Sequence, residues 1–360
     1  MANITAAMVK ELRESTGAGM MECKKALTET DGDMEAAVEV LRKSGAAKAQ
    51  KKASRIAAEG ITRVAIDGNT AVVVEVNSET DFVAKNEVFQ TFVQSVADQA
   101  LASGLNGGKD GEDVEALLEQ NGLKDVLVEK TATIGEKLSV RRFERVSSDV
   151  VVSYIHGGGR IGVLVAAEGD TSDAAKEALT NVAMQVAAMN PQYLSSADIT
   201  EAEKAKLKEI TIDSALNDPA TLPKPILQKL IDKAVGEKKW DDKDIAVYEE
   251  KKSNMNFLFN FLSEEAKAAL VQLAMADKET IVNDKIFDGL VKGRIAKQEK
   301  EVCLLEQVYV KAEDGKQTVA QYLATVSKDI TVKKVVRFEV GEGMEKKNED
   351  FAAEVAAQLG

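Results

Sequence analysis

Only four prolines and 4% aromatic residues occur in 360 positions. So few helix breakers argue against a turn-rich all-β design and leave room for long helices. Two cysteines, Cys23 and Cys303, stand far apart, which excludes a disulfide framework and offers no zinc-ligand spacing. That usage fits a reduced, cytoplasmic protein. His156 is the one histidine, so no histidine cluster can form, and no Ser or Cys pairs with it by spacing for nucleophilic catalysis. No apolar run approaches the ~18 residues of a membrane span. The opening Met1-Ala2-Asn3-Ile4-Thr5 leads into a charged amphipathic segment and not a secretory leader.

Charge of one sign is also short: 47 Lys and Arg face 60 Asp and Glu, a net −13. That field repels phosphate backbones and anionic lipid, which argues against nucleic-acid and membrane partners. A local basic stretch over 42–55, with Lys43, Lys48, Lys51 and Lys52, reads as a solvated helix-and-linker face. With 44% hydrophobic residues, the chain can build two or three domains with real cores, and the fold class is read as α+β.

Three short helices open the chain. Ile4, Met8, Val9 and Leu12 recur at helical spacing and Gly17-Ala18-Gly19 ends the run. Met20, Cys23, Ala26 and Leu27 mark a second helix. Asp33 is placed to cap a third, with Met34, Ala37, Val38 and Leu41 as its buried stripe. Such a module is too small for a cleft and reads as a binding unit.

An internal repeat follows. Residues 61–66, the turn Asp67-Gly68-Asn69 and residues 71–76 predict a hairpin, and Phe89, Phe92, Val93, Val96 and Ala100 predict a helix. After a polar stretch, 138–144 predicts a third strand carrying Arg142-Phe143-Glu144. The pattern recurs with strands at 150–155 and 161–167, a helix on Ala175, Leu179, Val182, Ala183 and Val186, and a strand carrying Arg337-Phe338-Glu339. Two antiparallel ββα…β halves related by duplication are the economical reading. An insertion over 195–300 reads as a helical hairpin or coiled-coil arm, in which Ile226, Leu230 and Ile231 echo Ile286, Leu290 and Val291. Residues 350–359 predict a last helix with Phe351, Val355 and Leu359 on one face.

Gly157-Gly158-Gly159-Arg160-Ile161-Gly162 has the spacing of a dinucleotide fingerprint. A pyrophosphate site needs a helix directly after the glycines, and here Val163-Leu164-Val165 continues as a strand. The glycines therefore turn a hairpin. In Thr80-Asp81-Phe82-Val83-Ala84-Lys85-Asn86, Phe82 precedes Phe89 by seven residues, which favours a shared core face. Thr80, Asp81 and Asn86 are cap and turn formers, which favours a loop carrying Phe82 outward as an interface wedge.

These residues carry a resemblance. Thr16-Gly17-Ala18-Gly19-Met20-Met21-Glu22-Cys23-Lys24-Lys25-Ala26-Leu27 closely resembles the first signature of the elongation factor Ts family, and Thr80-Asp81-Phe82-Val83-Ala84-Lys85-Asn86 resembles its second. His156, Arg160-Ile161-Gly162-Val163-Leu164-Val165 and Arg337-Phe338-Glu339-Val340-Gly341-Glu342-Gly343 are similar further along. The likeness spans 1–199 and about 285–360.

The resemblance implies a helical domain similar to ubiquitin-associated domains (1–55), two related core subdomains (56–148, and 149–199 with 300–343), an inserted helical or coiled-coil arm (200–299) and a C-terminal module (344–360). It implies a guanine-nucleotide exchange factor of translation that binds elongation factor Tu, GDP-bound and nucleotide-free, without covalent catalysis and without a metal or cofactor of its own. By motif match, Thr80, Asp81, Phe82 and Val83 would disturb the partner's Mg²⁺ site, with Phe82 as the wedge. His156, Met20, Met21 and Lys24 are further candidate contacts, and the arm is a candidate homodimer surface. Two rival classes are a dehydrogenase using the 157–162 glycines, and a scaffold or ribosome-associated chaperone that binds without changing nucleotide release.

Overall fold

A computed structural model describes residues 4–345. The helix expected over 350–359 lies outside the described residues, as does most of the expected 344–360 module. The chain divides into two compact units: one holds the residues up to Asn190 and from Gln321 onward, the other is Pro191–Ala320.

The first unit opens with three helices, α1 (Ala6–Thr16), α2 (Met20–Glu29) and α3 (Met34–Lys52). Thr5 and Asp33 cap α1 and α3, their side-chain oxygens accepting from the N–H groups of Met8 and Ala36. Val9, Leu12, Cys23, Ala26, Leu27 and Ala37 form the interior. At 19 residues, α3 is not short, and it takes in most of the basic 42–55 stretch.

The hairpin β1 (Glu59–Asp67) and β2 (Thr70–Ser78) pairs without a break, from Glu59 opposite Ser78 to Asp67 opposite Thr70. One helical turn, α4 (Asp81–Ala84), and the long α5 (Glu87–Ser103) follow. The stretch expected to be merely polar folds into β3 (Gly107–Gly108), α6 (Val114–Leu118) and α7 (Leu123–Ile134), because Val114, Leu117, Leu118 and Leu123 supply enough apolar surface to dock. β4 (Ser139–Ser147) closes a four-stranded sheet of order β1-β2-β4-β3. α3 packs along α7, where Gly45 faces Ala132. With two neighbours to serve, α3 divides its apolar residues. Ala37 enters the bundle, while Val38, expected to be buried there, is 40% exposed and lines a groove with Val126 and Ala132.

A second sheet, of order β5-β6-β7, is built from β5 (Val150–His156), β6 (Ile161–Glu168) and β7 (Thr331–Glu339), with α8 (Asp173–Met189) packed on β5 and β6. β2 explains how the layers stack. Its residues alternate, Val72, Val74 and Val76 toward α5 and its neighbours, Ala71 and Val73 toward Val151, Leu164, Val336 and Phe338 of the second sheet. A strand covered on both faces is a near-continuous apolar run, and 71–76 reads that way. The sheets approach closely at Gly162, where an added Cβ would lie 2.8 Å from Thr62 Oγ1, so only glycine fits without a shift.

A buried ionic cluster joins these sheets. The Glu75 carboxylate accepts from Arg142 Nε (2.6 Å), Arg141 (3.0 Å), Asn77 Nδ2 (3.1 Å) and the Gly341 N–H (2.9 Å). Arg142 also lies over the Phe338 ring, 4.3 Å from its centroid, and donates to the Glu339 carbonyl.

The second unit is helical, as the sequence predicts, and its helices gather round one core instead of forming a hairpin or coiled-coil arm. Six helices, α9 (Glu201–Asn217), α10 (Lys224–Gly236), α11 (Asp242–Lys251), α12 (Glu264–Ala276), α13 (Lys278–Val282) and α14 (Lys285–Val302), surround one core. Ile212, Leu216, Leu230, Ile231, Leu258, Leu270, Leu273 and Phe287 fill it, and Trp240 closes it with Nε1 donating to the Ala266 carbonyl at 3.0 Å. The expected echo between two helices breaks at Ile286. That side chain is exposed and Phe287 takes the interior place, one position out of phase with Ile226. α15 (Val319–Val326) leads back toward β7. Among the described residues, no helix is long and apolar enough to cross a membrane.

Candidate functional site

The 80–86 segment is neither a plain loop nor a continuation of α5. Thr80 is extended, and its Oγ1 accepts from Val83 N–H at 3.4 Å, starting the single turn α4. Asn86 then caps α5 separately, accepting from Val88 N–H at 2.8 Å. Two helices with independent caps break the seven-residue phase between Phe82 and Phe89. Phe89 is fully buried, whereas Phe82 is 80% exposed, so the shared core face is overturned. Ala84 is buried and Val83 packs on the same core, while Asp81 and Phe82 face solvent. Leaving a phenylalanine side chain outside forgoes roughly 1.5–3 kcal/mol of burial.

A four-residue helix has no stability of its own, because nucleation is unfavourable before propagation can compensate. Its shape is imposed from outside. Glu136, in the link between α7 and β4, accepts from the Thr80 hydroxyl at 2.6 Å through Oε1 and from the N–H groups of Glu79 and Thr80 at 3.0 Å through Oε2. Glu79 in turn accepts from Lys137 N–H at 2.6 Å and from Arg55 at 3.2 Å. Lys85 donates to Asp81 at 2.6 Å, and chiefly through that hydrogen bond it holds the Asp81 carboxyl below the usual carboxylate range. Asp81 is therefore anionic beside the exposed ring at neutral pH. Glu136, Glu79 and Arg55 were not among the residues that sequence reasoning picked out. No motif marks them, and their role depends on pairing between distant segments.

His156 ends β5 and is exposed, with Nδ1 3.1 Å from the Tyr154 hydroxyl and the two rings 5.9 Å apart. The next residues, Gly157, Gly158 and Gly159, all have positive φ and turn directly into β6. No helix N-terminus follows them. This turn and α4 are both carried by β1. Thr62 Oγ1 donates to the Gly159 carbonyl at 2.9 Å; Arg63 donates to Gln90 at 3.1 Å, and Gln90 donates to the Ala84 carbonyl at 3.2 Å. Burial lowers the Arg63 pKa from its ordinary high value.

Met20 and Met21, 59% and 74% exposed, stand with Lys24 on the opening turns of α2. They border an open groove of about 950 Å³ shared with Val9, Lys10 and Arg13 of α1. The candidate residues form two groups: the 80–83 turn with the His156 turn on β1, and the methionine groove in the helical bundle. Among the described residues, no three His, Cys, Asp or Glu side chains gather as a metal site. What the first group offers is a fixed, exposed aromatic next to a carboxylate.

The family model "Elongation factor TS" matches residues 79–342, beginning just before α4. A protein named elongation factor Ts from Clostridioides difficile is 45% identical over 370 aligned positions, covering 100% of both chains. One of the same name from Clostridium perfringens is 44% identical over 372 positions, covering 99% of each. With a family match across most of its length and relatives this similar from end to end, the chain belongs to the elongation factor Ts family.

Proposed function

We propose that this chain is a guanine-nucleotide exchange factor of translation elongation. It binds elongation factor Tu in the GDP-bound and nucleotide-free states and speeds GDP release, acting in the cytoplasm without catalysing covalent chemistry. The observation that carries the reading is Phe82: 80% exposed, on a turn held at its start by Glu136 and at its end by Gln90, in a member of this family. GTPases hold their nucleotide largely through Mg²⁺ bridging the phosphates. A rigid wedge formed by Thr80, Asp81, Phe82 and Val83 would displace the groups around that ion and weaken GDP. Coupling is reciprocal, so returning nucleotide must weaken the factor's own grip by the same ratio, and GTP ejects it.

In this reading, Met20, Met21 and Lys24 supply a second grip from a bundle of the ubiquitin-associated type, and the His156 turn a third. The two sheets, each with a hairpin, a helix and a returning strand bearing Arg-Phe-Glu, support descent of the core from an internal duplication.

The test loads elongation factor Tu with fluorescent GDP and follows its release into excess unlabelled GDP, with and without this protein. Release is expected to accelerate strongly, and Phe82→Ala to keep complex formation while losing most of the acceleration. Acceleration untouched by Phe82→Ala refutes the wedge but keeps exchange. A complex that forms without any acceleration refutes exchange and leaves a scaffold.

A further inference from the structure

The turn that presents Phe82 is aimed by one carboxylate 56 residues away in sequence, and we propose that Glu136 is a positioning residue for nucleotide exchange. This inference rests on the wedge reading of Phe82 given above. Three donors converge on Glu136: two successive backbone N–H groups on one oxygen and the Thr80 hydroxyl on the other. Thr80 Oγ1 thereby has a defined direction. Its proton points to Glu136 and its lone pair faces the Val83 N–H, so anchor and helix cap share one hydroxyl and polarise each other. Charge-assisted bonds of this kind are roughly twice as strong as neutral ones.

Glu136 is itself held. Gly135, at φ +89°, closes α7 with its N–H on the Thr131 carbonyl, and its own carbonyl accepts from Lys52 Nζ. On the other side, Lys137 N–H is bonded to Glu79, and Leu138 is buried.

The reason this residue meets that turn is sheet register. β2 and β4 are antiparallel, with Asn77 opposite Ser139. Carried three residues past that pair, the same register sets Thr80 opposite Glu136. The segment leaving β2 and the segment entering β4 are thus neighbours, and a carboxylate at this position spans the gap that the ladder no longer bridges. Ala84, Val83 and the Gln90 bond hold the C-terminal end of α4, and Glu136 holds its start. Loss of the anchor therefore releases the N-terminal end that carries Asp81 and Phe82 while the rest of the unit keeps its core. Glu136 is then required for aiming Phe82 and not for docking, which relies on other surfaces.

The experiment measures fluorescent-GDP release from elongation factor Tu against the concentration of the full chain, for Glu136→Ala, Glu136→Gln and Thr80→Val, each also in the Phe82→Ala background. Thermal unfolding of each variant is followed by circular dichroism. Glu136→Ala is expected to cut the saturating release rate at least tenfold and to shift the half-saturating concentration less than twofold. Thr80→Val, which removes the same hydroxyl contact from the other side, should show the same split. Glu136→Gln keeps one acceptor oxygen and should fall between Glu136→Ala and the parent chain. In the Phe82→Ala background, Glu136→Ala should add less than a twofold further loss, because both changes remove one device. A saturating rate within twofold of the parent overturns the proposal. So does a loss in the Phe82→Ala background as large as in the parent, which would mark Glu136 as merely structural. If Phe82→Ala alone leaves release unchanged, the wedge reading fails first, and that result is separate from either outcome for Glu136.

Discussion

Glu75 is the residue whose removal the fold should tolerate least. Its carboxylate is wholly buried, and Arg142, its closest partner, is 7% exposed. Glu75→Ala leaves that guanidinium in the interior with only the partly exposed Glu342 carboxylate, 3.3 Å from Nη2, as counter-charge, and strands the Gly341 N–H that closes the second sheet against the first. Breaking a buried pair from one side costs about 3–5 kcal/mol, and an orphaned buried donor costs roughly 1–3 more. Two features pull the sum back. Arg141, at 24% exposure, can rehydrate, and Arg142 keeps its bond to the Glu339 carbonyl and its place over Phe338. These residual contacts bring the cost down to about 3–4 kcal/mol, or two to three powers of ten in an opening equilibrium.

Native-state hydrogen exchange reads this by element. The slowest amides of β2, β4 and β7 should exchange about a hundredfold to a thousandfold faster in Glu75→Ala. Amides of α10 and α12, whose core lies in the Pro191–Ala320 unit, should keep their rates. Glu75→Gln, isosteric and with one acceptor oxygen left, should fall between the variant and the parent. A change below tenfold in the strands would refute the assignment of stability to this cluster, and an equal loss in α10 would refute its confinement to one unit.

Two further outcomes are expected. Burial, assisted by the nearby Glu306, Glu299 and Asp198 carboxylates, pushes the Cys303 thiol up to about 11, and Cys23 is buried as well. A thiol raised in this way stays protonated at pH 8, so a disulfide reagent should titrate no thiol in the folded chain and two in guanidinium; fast reaction of one equivalent under native conditions would contradict this. In α9, Glu203 is held below the usual carboxylate range, chiefly by the Thr200 hydroxyl and then by the Thr200 N–H, the latter being half of a capping box in which Glu203 N–H donates back to the Thr200 oxygen. A depressed folded pKa stabilises above the unfolded value of about 4.3 and loses that contribution as pH falls through the folded value. The denaturation midpoint from Trp240, the one tryptophan and part of the same helical core, should therefore fall more on going from pH 6 to pH 3 in the parent chain than in Glu203→Gln. Parallel pH curves for the two would refute it.

The hairpins were legible because their cause is local. Two short β-branched, apolar runs over 61–66 and 71–76, joined by Asp67-Gly68-Asn69, are visible in any short window, and so is the stripe of Phe89, Phe92, Val93 and Val96. Phe82 was not settled by periodicity, because the phase argument assumes one helix and the separate caps at Thr80 and Asn86 create two. The motif resemblance pointed outward where spacing pointed inward, and the exposed ring agrees with the motif. α6 and α7 escaped notice since Val114, Leu117 and Leu118 make a stripe too short to stand out from its polar surroundings. The insertion was read as helical but given the wrong assembly: packing six helices about Trp240 depends on contacts between distant residues that no heptad pattern announces. Glu136 was invisible for the same reason. A glutamate after Ile134-Gly135 has no distinguishing neighbour until β4 is paired with β2.

That pairing has a consequence for which length changes the chain can accept. Thr80 and Glu136 meet because each is counted outward from the same rung of a ladder, and not because of what joins them through α5, β3, α6 and α7. Residues inserted or deleted in the loops among those helices change the size of a closed loop, whose entropy grows only slowly with length. A single residue added or lost between Glu136 and Ser139 moves the carboxylate to the opposite face of the extended segment and unhooks the turn at once. Natural or engineered length variants should therefore gather in the links at 109–113 and 119–122 and avoid 136–139, a pattern fixed by counting along two strands.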